Sequence, residues 1–344
     1  MYKSYSEMLS EPRLIDLGDG IYVLRFEVMK VTSVYAAVRD LLTRGIIRPG
    51  QTLVDSSSGI YGHALALVCR ELGLQCHVFA SVAVDASIRT QLKYLGATYD
   101  QVPSSESLKH DQETRVRLVH RYLRDNPDAY WMRQYHDDVH YIGYKPVADH
   151  LLAEVGHGPL DVIGGVGTGA STSALGRYLR RADAEVQITG IQPFGSRSFG
   201  AESIPLDGFI VAGIGSGIHF ANIDYSVYDT IHWFDFDVSA AGCRDLLSAT
   251  GVFAGLSGGA GWQVARYLRA TRPDRGPIVF LAADPGHRYV DQVFPSDGPY
   301  IPDPAYRPVV ISELSDITTP WCTMKWDRKP FTVHDNLPEL VNLH

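Results

Sequence analysis

The run Leu160-Asp161-Val162-Ile163-Gly164-Gly165-Val166-Gly167-Thr168-Gly169-Ala170-Ser171-Thr172-Ser173 decides how the rest of the chain is read. Residues 160–164 are apolar apart from Asp161 and predict a short strand; a helix is expected over 173–181, and glycines fill the turn between them. Such a turn brings backbone N–H groups and the hydroxyls of Thr168 and Ser171 to the positive end of a helix dipole, which suits a phosphate. Side chains would block that approach, so glycine is needed. An ordinary glycine turn with no ligand is the plain alternative. No Gly-Lys-Ser/Thr follows, so a Walker loop is not read. The spacing Gly165-x-Gly167-x-x-Ala170 also fits a relaxed dinucleotide turn. That reading needs an acidic residue ending the next strand, about 20 residues on, where this chain has Gln192-Pro193.

Outward from this turn, strand-like and helix-like runs alternate, the pattern of mostly parallel sheets covered by helices. Strands are expected over 21–27, 51–55, 75–80, 96–102, 186–193, 252–254 and 278–283. Helices are expected over 32–43, 61–72, 84–95, 110–126, 146–154, 240–249 and 259–268. The count suits two α/β lobes, the first ending near residue 150. Beyond Gly286 the chain is rich in Pro and aromatics, without clear periodicity over 295–308, and is expected to wrap as a tail.

The chain has 344 residues, 45 % of them hydrophobic, enough for a large core. A formal charge of −8 and the absence of a Lys/Arg cluster argue against a nucleic-acid partner. Cys69, Cys76, Cys243 and Cys322 form no CxxC pair and are read as buried thiols, neither a disulfide framework nor a zinc knuckle. Residues 1–13 are charged and lack an apolar signal core, and no stretch approaches the roughly 20 apolar residues of a membrane helix, so a cytoplasmic protein without membrane partners is expected. His136, Asp137, Asp138 and His140 lie close together, but in a loop without helix or strand register, and no metal site is assigned.

Several further segments, in order, resemble the cysteine synthase and cystathionine β-synthase family, the fold type II pyridoxal-phosphate (PLP) enzymes. Lys30 stands before a helix leading to Gly45-Ile46-Ile47-Arg48-Pro49-Gly50, where that family has its Schiff-base lysine and a Gly-x-x-x-Pro-Gly turn. Around the lysine the family writes Asn-Pro-x-Gly-Ser-x-Lys and this chain Arg25-Phe26-Glu27-Val28-Met29-Lys30, which leaves a surface lysine as the bland alternative. Ser57-Ser58-Gly59-Ile60-Tyr61-Gly62 resembles Thr-Ser-Gly-Asn-Thr-Gly, the loop that receives the substrate carboxylate; a Ser-rich helix cap is the plain reading. Ile60 replaces the Asn that contacts the cofactor's 3′ oxygen, and Tyr61 replaces a small hydroxyl residue. Arg133-Gln134-Tyr135 resembles Gln-Gln-Phe, and Gly213-Ile214-Gly215-Ser216-Gly217-Ile218 resembles a turn at the active-site mouth. Gly255-Leu256-Ser257-Gly258-Gly259-Ala260 resembles the motif whose Ser contacts the pyridine nitrogen, with a helix cap as the alternative role for Ser257; Gly286-His287-Arg288-Tyr289 resembles a late Gly-Glu-Arg-Tyr.

The resemblance spans roughly residues 20–295 and implies an α/β, tryptophan-synthase-β-like fold of two lobes, each a mostly parallel sheet flanked by helices. It implies that residues 1–38 join the large lobe and carry the lysine, that 39–150 form a smaller mobile lobe, and that 151–344 form the larger lobe with a tail. It implies Lys30 as the aldimine lysine and catalytic base, Gly167, Thr168, Gly169, Ala170 and Ser171 on the PLP phosphate, and Ser257 on the ring. Ser57, Ser58, Gly59, Tyr61, Gln134 and Gly215 are the implied substrate residues, and a homodimer the implied assembly.

PLP is the electron sink, and the protein selects which bond breaks. If Ser257 and not a carboxylate faces the ring nitrogen, the pyridinium is weakly held, and loss of a β leaving group to an aminoacrylate is favoured. Addition of a small nucleophile then gives β-replacement, the preferred reading; water gives elimination to a keto acid and ammonia, the alternative. The substitutions at Ile60 and Tyr61 suggest an unusual amino-acid substrate, in specialised metabolism. Two readings of another class are a nicotinamide oxidoreductase built on the glycine turn and a non-catalytic binding or regulatory protein.

Overall fold

The computed structural model describes residues 1–82, 84–103, 107–182, 185–205, 213–294 and 304–331. The chain opens with α1 (Tyr5–Leu9), β1 (Arg13–Asp16), β2 (Ile21–Arg25) and α2 (Met29–Thr43). Then come β3 (Thr52–Ser57), α3 (Ile60–Leu72), β4 (Gln75–Ala80), α4 (Ala86–Tyr94), β5 (Thr98–Gln101), α5 (Leu108–Asp125), β6 (Tyr130–Trp131) and α6 (Tyr144–Val155). The second half carries β7 (Leu160–Gly165), α7 (Ala170–Ala182), β8 (Val186–Pro193), β9 (Thr230–Phe234), α8 (Phe236–Thr250), α9 (Leu256–Thr271), β10 (Ile278–Ala282), β11 (Val309–Ile311) and β12 (Trp321–Lys325).

The strands make two sheets, in the orders β5-β4-β3-β6 and β1-β2-β10-β7-β8-β9-β12-β11. The smaller sheet is parallel throughout; in the larger, β2, β10, β7, β8 and β9 run parallel, and β1 and β12 pair antiparallel to β2 and β9. Central strands are covered on both faces: every residue of β10 is buried, whereas β1 at the edge is exposed or half-buried. On α9, 11 residues are buried, because the helix lies between the sheet and α8. The charged α5 buries only one stripe, which includes Val116 and Val119.

The cores follow this division. Val31, Val34, Ala37 and Leu41 of α2 join Leu53, Leu65 and Val78 around the smaller sheet. Leu24, Val162, Ile188 and Leu281 belong to a core of the larger sheet. The chain therefore enters the large sheet at β2 and leaves it within a few residues to build the other lobe.

Three expectations change. Residues 252–254 form no strand; only an isolated bridge joins Ala254 to Pro285, as the segment leads into α9. The tail does more than wrap. Residues 295–303 lie outside the described residues, but β12 pairs with β9 and puts Trp321 and Cys322, both at 0 % exposure, into the large sheet, with Trp321 stacked on Phe234. And β9 was not expected at all, since Thr230-Ile231-His232-Trp233-Phe234 follows a polar run with no turn signal between. All four cysteines are free and buried.

Candidate functional site

In both sheets the loops that carry the motifs leave the carboxyl ends of parallel strands, where open α/β sheets place their ligands. Lys30 follows β2, the Ser57–Gly62 loop follows β3, the glycine turn follows β7, and Asp284 follows β10. The Phe26 amide donates to the Ala282 carbonyl and the Met29 amide to that of Ala283, at 2.9 and 3.0 Å, which pins the lysine segment to the end of β10. Helix α2 starts at Met29, so Lys30 lies in its first turn and not ahead of it as expected.

Lys30 opens into a small cavity. Met29, Ile60, Ile214, Leu281 and Ala283 give it apolar walls, and Gly165 and Gly213 contribute bare main chain. Three polar side chains line it: Lys30, Ser257 and Asp284. Apart from the side that faces the cavity, protein encloses the Lys30 amine, and desolvation lowers its pKa from 10.5 to about 8. Its one hydrogen bond runs to Thr168 Oγ1 at 3.4 Å, and no carboxylate pairs with it among the described residues.

The glycine turn is built to leave amides free. Gly169 has φ +82°, and a Cβ there would lie 2.6 Å from the Asn222 carbonyl; a Cβ on Gly167 would overlap the Gly213 carbonyl. Around them the hydrogen bonds are spent elsewhere: Val166 N–H on Ile191, Thr172 Oγ1 with Tyr228, Ser173 Oγ on the Asp224 amide. Thr168 Oγ1 accepts from Lys30 and, at 3.5 Å, from the Ala170 amide, so the Thr168 hydroxyl proton, the Ser171 hydroxyl and the other first-turn amides of α7 are what remains for a ligand. An aldehyde-bearing phosphate fits these groups: an amine without a counter-ion, a preformed anion cradle, and flat apolar walls between them.

The second loop uses its side chains largely on itself. Ser57 Oγ accepts from the amides of Gly59 and Gly62 at 3.0 and 2.8 Å. Gly59 has φ +146° and serves as the N-cap of α3 without a side chain, which leaves the Ile60 and Tyr61 amides and the Ser58 hydroxyl for an anion. Gln134 is 4 % exposed; its Nε2 donates to the Ser56 carbonyl at 2.5 Å and its amide to Asp55 Oδ2, so it braces the loop from behind. Asp55, with its pKa pushed up to about 7 by burial, accepts from the Ser56 and Gln134 amides and from Trp131. The Tyr61 side chain turns into the small-lobe core and hydrogen-bonds His140 Nε2 at 2.9 Å; its contribution to the loop is the main chain. Gly215 does not line the cavity. Its amide donates to Val166 at 2.9 Å, fastening the mouth turn to the glycine turn, while Gly213 and Ile214 reach the cavity.

Ser257 sits in the first turn of α9, its hydroxyl without a hydrogen bond among the described residues, and the N-cap is Gly255, so Ser257 does not cap the helix. Asp284 is the residue the sequence reading passed over. It lies one position beyond an expected strand, and an acidic residue at the carboxyl end of a buried parallel strand was the available signal. Burial raises its pKa from 3.8 to about 6 against the lowering effects of Arg288 and Tyr289.

These features define a PLP enzyme, and the chain belongs to the family described as pyridoxal-phosphate dependent enzyme, whose model matches residues 26–284. Among its relatives, the N-(2-amino-2-carboxyethyl)-L-glutamate synthase of Ralstonia nicotianae is 35 % identical over 260 residues, 74 % of each chain. That of Cupriavidus metallidurans is 33 % identical over 261 residues, again 74 % of each chain. The fold is shared with O-acetylserine dependent cystathionine β-synthase from Helicobacter pylori (TM-score 0.76, 18 % identity, 86 % of this chain and 99 % of that one). It is shared also with O-ureido-L-serine synthase (TM-score 0.74, 20 % identity, 87 % and 96 %).

Proposed function

We propose that the protein catalyses β-replacement on an L-serine derivative activated at its hydroxyl, with the amine of an amino acid as the nucleophile. The observation that carries the reading is the uncompensated Lys30 amine, 3.4 Å from Thr168 of the anion cradle. Lys30 would hold the cofactor's aldehyde carbon, Gly167, Thr168, Gly169, Ala170 and Ser171 its phosphate, and Ser257 its ring. Bound there, PLP supplies the electron sink that acidifies the Cα–H and lets the β substituent leave.

The protein's own part is positional. The Ile60 and Tyr61 amides and Ser58 hold the α-carboxylate at the start of α3, and Ser57, Gly59 and Gln134 keep that loop in shape. Lys30, already lowered to about 8, takes the Cα proton and returns it on the same face. In the net reaction the Cβ–O bond breaks with its electron pair leaving on oxygen, a Cβ–N bond forms, and the amine gives up one proton. An amine nucleophile, in place of sulfide, is supported by the two relatives named as N-(2-amino-2-carboxyethyl)-L-glutamate synthases. The apolar Ile60 in the cavity wall agrees with a site adapted away from cysteine synthesis.

The test is to incubate the PLP-loaded protein with O-acetyl- or O-phospho-L-serine and either L-glutamate or sulfide, and to identify products by mass spectrometry. A C–N adduct is the expected product. Cysteine at comparable rates would overturn the amine assignment, and keto acid with ammonia alone would mean elimination. A homodimer in the cytoplasm completes the proposal on the strength of the family resemblance, and light scattering of the purified protein checks the assembly. Among the described residues no helix is long and apolar enough to cross a membrane.

A further inference from the structure

The walls of the Lys30 cavity differ in what they offer to a hydrogen-bond acceptor. At the end of β7, Gly165, Ile214 and Ser257 stand together: a Cβ on Gly165 would overlap Ile214 and come within 3.7 Å of the Ser257 Cβ. At the end of β10, Leu281, Ala283 and Asp284 form a second wall. Asp284 accepts from Tyr289 at 3.1 Å and has Arg288 favouring its carboxylate form, so it too is an acceptor. The small lobe contributes a single lining residue, Ile60, the first of α3. Its side chain has no polar atom, and its amide serves the substrate-carboxylate loop. Among the described residues, Ser257 is therefore the one neutral donor side chain that lines the cavity, and it lies on the glycine-turn side.

We propose that Ile60 faces the ring hydroxyl of bound PLP and keeps that oxygen un-ionised. The inference rests on the PLP reading above and deepens it. In PLP the aldehyde carbon stands between the ring hydroxyl and the phosphate arm. With the aldehyde at Lys30 and the phosphate at the turn of Thr168, 3.4 Å from the Lys30 amine, the hydroxyl points away from that turn and across the cleft. It meets the position at which the Ser57–Gly62 loop has lost the Asn of the motif it resembles. One proton is shared between this oxygen and the nitrogen that joins Lys30 to the cofactor. On the nitrogen, it leaves a full negative charge on the oxygen, which is costly against an apolar wall without a donor. On the oxygen, it leaves both atoms neutral, and Ile60 favours this form. The loaded protein should then absorb mainly in the near ultraviolet, with the visible yellow band minor.

The experiment loads the full-length protein with PLP, removes the excess, measures bound cofactor by acid release, and records absorption spectra from pH 6 to 8. The unaltered protein and Ile60→Val should show a dominant near-ultraviolet band, in a ratio that is flat with pH because the two forms hold the same number of protons. Ile60→Asn should raise the ratio of visible to near-ultraviolet absorbance at least about fivefold, the effect of one net hydrogen bond. A dominant visible band in the unaltered protein, an unchanged ratio in Ile60→Asn, or an equal rise in Ile60→Val would overturn the proposal while leaving the cofactor reading intact. A protein with no PLP to release, or with no borohydride label on Lys30, overturns both. If Ile60→Asn does not fold, the band of the unaltered protein decides the matter alone.

Discussion

Arg288 of the large lobe and Asp85 of the small lobe meet across the cleft: Nε and Nη2 of Arg288 donate to Asp85 Oδ2 at 3.1 and 3.0 Å, while Asp85 Oδ1 caps α4 by accepting from the Ile88 amide at 2.8 Å. Nη2 also lies 3.7 Å from where a Cβ on Gly59 would stand, beside the anion loop. Replacing Asp85 by Asn keeps the cap and removes the charge. The pair is partly solvated, so the stability cost should stay below about 1 kcal/mol in urea melts. The lost link between lobes should show as a raised KM for the serine derivative with kcat less affected; an unchanged KM would refute the role.

Lys30 makes the cofactor-free protein more stable as pH rises. Its folded pKa, about 8, lies below the unfolded value of 10.5. Between those values the unfolded chain binds more protons, so unfolding free energy climbs with pH across that window and is flat for this group below it. The gain is on the order of 2 kcal/mol, allowing for the side open to the cavity. Lys30→Met should lack it, and should also lose the cofactor band and the borohydride label. Denaturant titrations of the two proteins at pH 7.5 and 10 measure the difference.

Asp284 acts with the opposite sign. Its folded pKa of about 6 exceeds the ordinary 3.8, so the folded cofactor-free protein binds more protons between these values and loses stability as pH rises through them. Asp284→Asn should therefore be more stable than the unaltered apoprotein at pH 7, by on the order of 2 kcal/mol, and equal to it near pH 3.5. Equal stability at both pH values would mean that the carboxyl group is solvated.

Gly169→Ala tests the cradle. The positive φ and the Asn222 carbonyl 2.6 Å from the added Cβ force the turn to shift, at about 1–3 kcal/mol. PLP affinity should fall at least about tenfold, equivalent to 1.4 kcal/mol, in an absorbance titration; unchanged affinity would place the phosphate elsewhere.

Tyr61→Phe separates structure from substrate binding. His140 Nδ1 donates to the Asp137 carbonyl at 3.0 Å, which leaves Nε2 to accept from Tyr61, and burial lowers the His140 pKa to about 4. The variant strands that buried acceptor and should cost about 1–3 kcal/mol. KM for the serine derivative should change little, because the loop offers the Tyr61 amide and not its ring; a large KM increase would put the phenol in the substrate site.

Local pattern was sufficient wherever a side chain's role depends on its neighbours in sequence. Strands 75–80 and 186–193 match the observed β4 and β8, because strand-forming residues recur through both short runs, Val78 and Phe79 in one and Val186, Ile188 and Ile191 in the other. The glycine turn was legible because free amides at a helix start demand missing side chains, and Lys30 was legible from its place in an ordered set of motifs. Tertiary structure decided the remainder. Tyr61 and Gln134 stand in a substrate-binding motif, yet His140 and the Ser56 carbonyl, 79 and 78 residues away, claim their side chains. β12 is unremarkable as sequence and becomes a strand because β9 offers it an open edge. Asp284 carries no motif of its own; only the meeting of β2, β10 and α9 places a carboxyl group beside Ser257 and Lys30, since proximity between distant segments is a property of packing that no local spacing encodes.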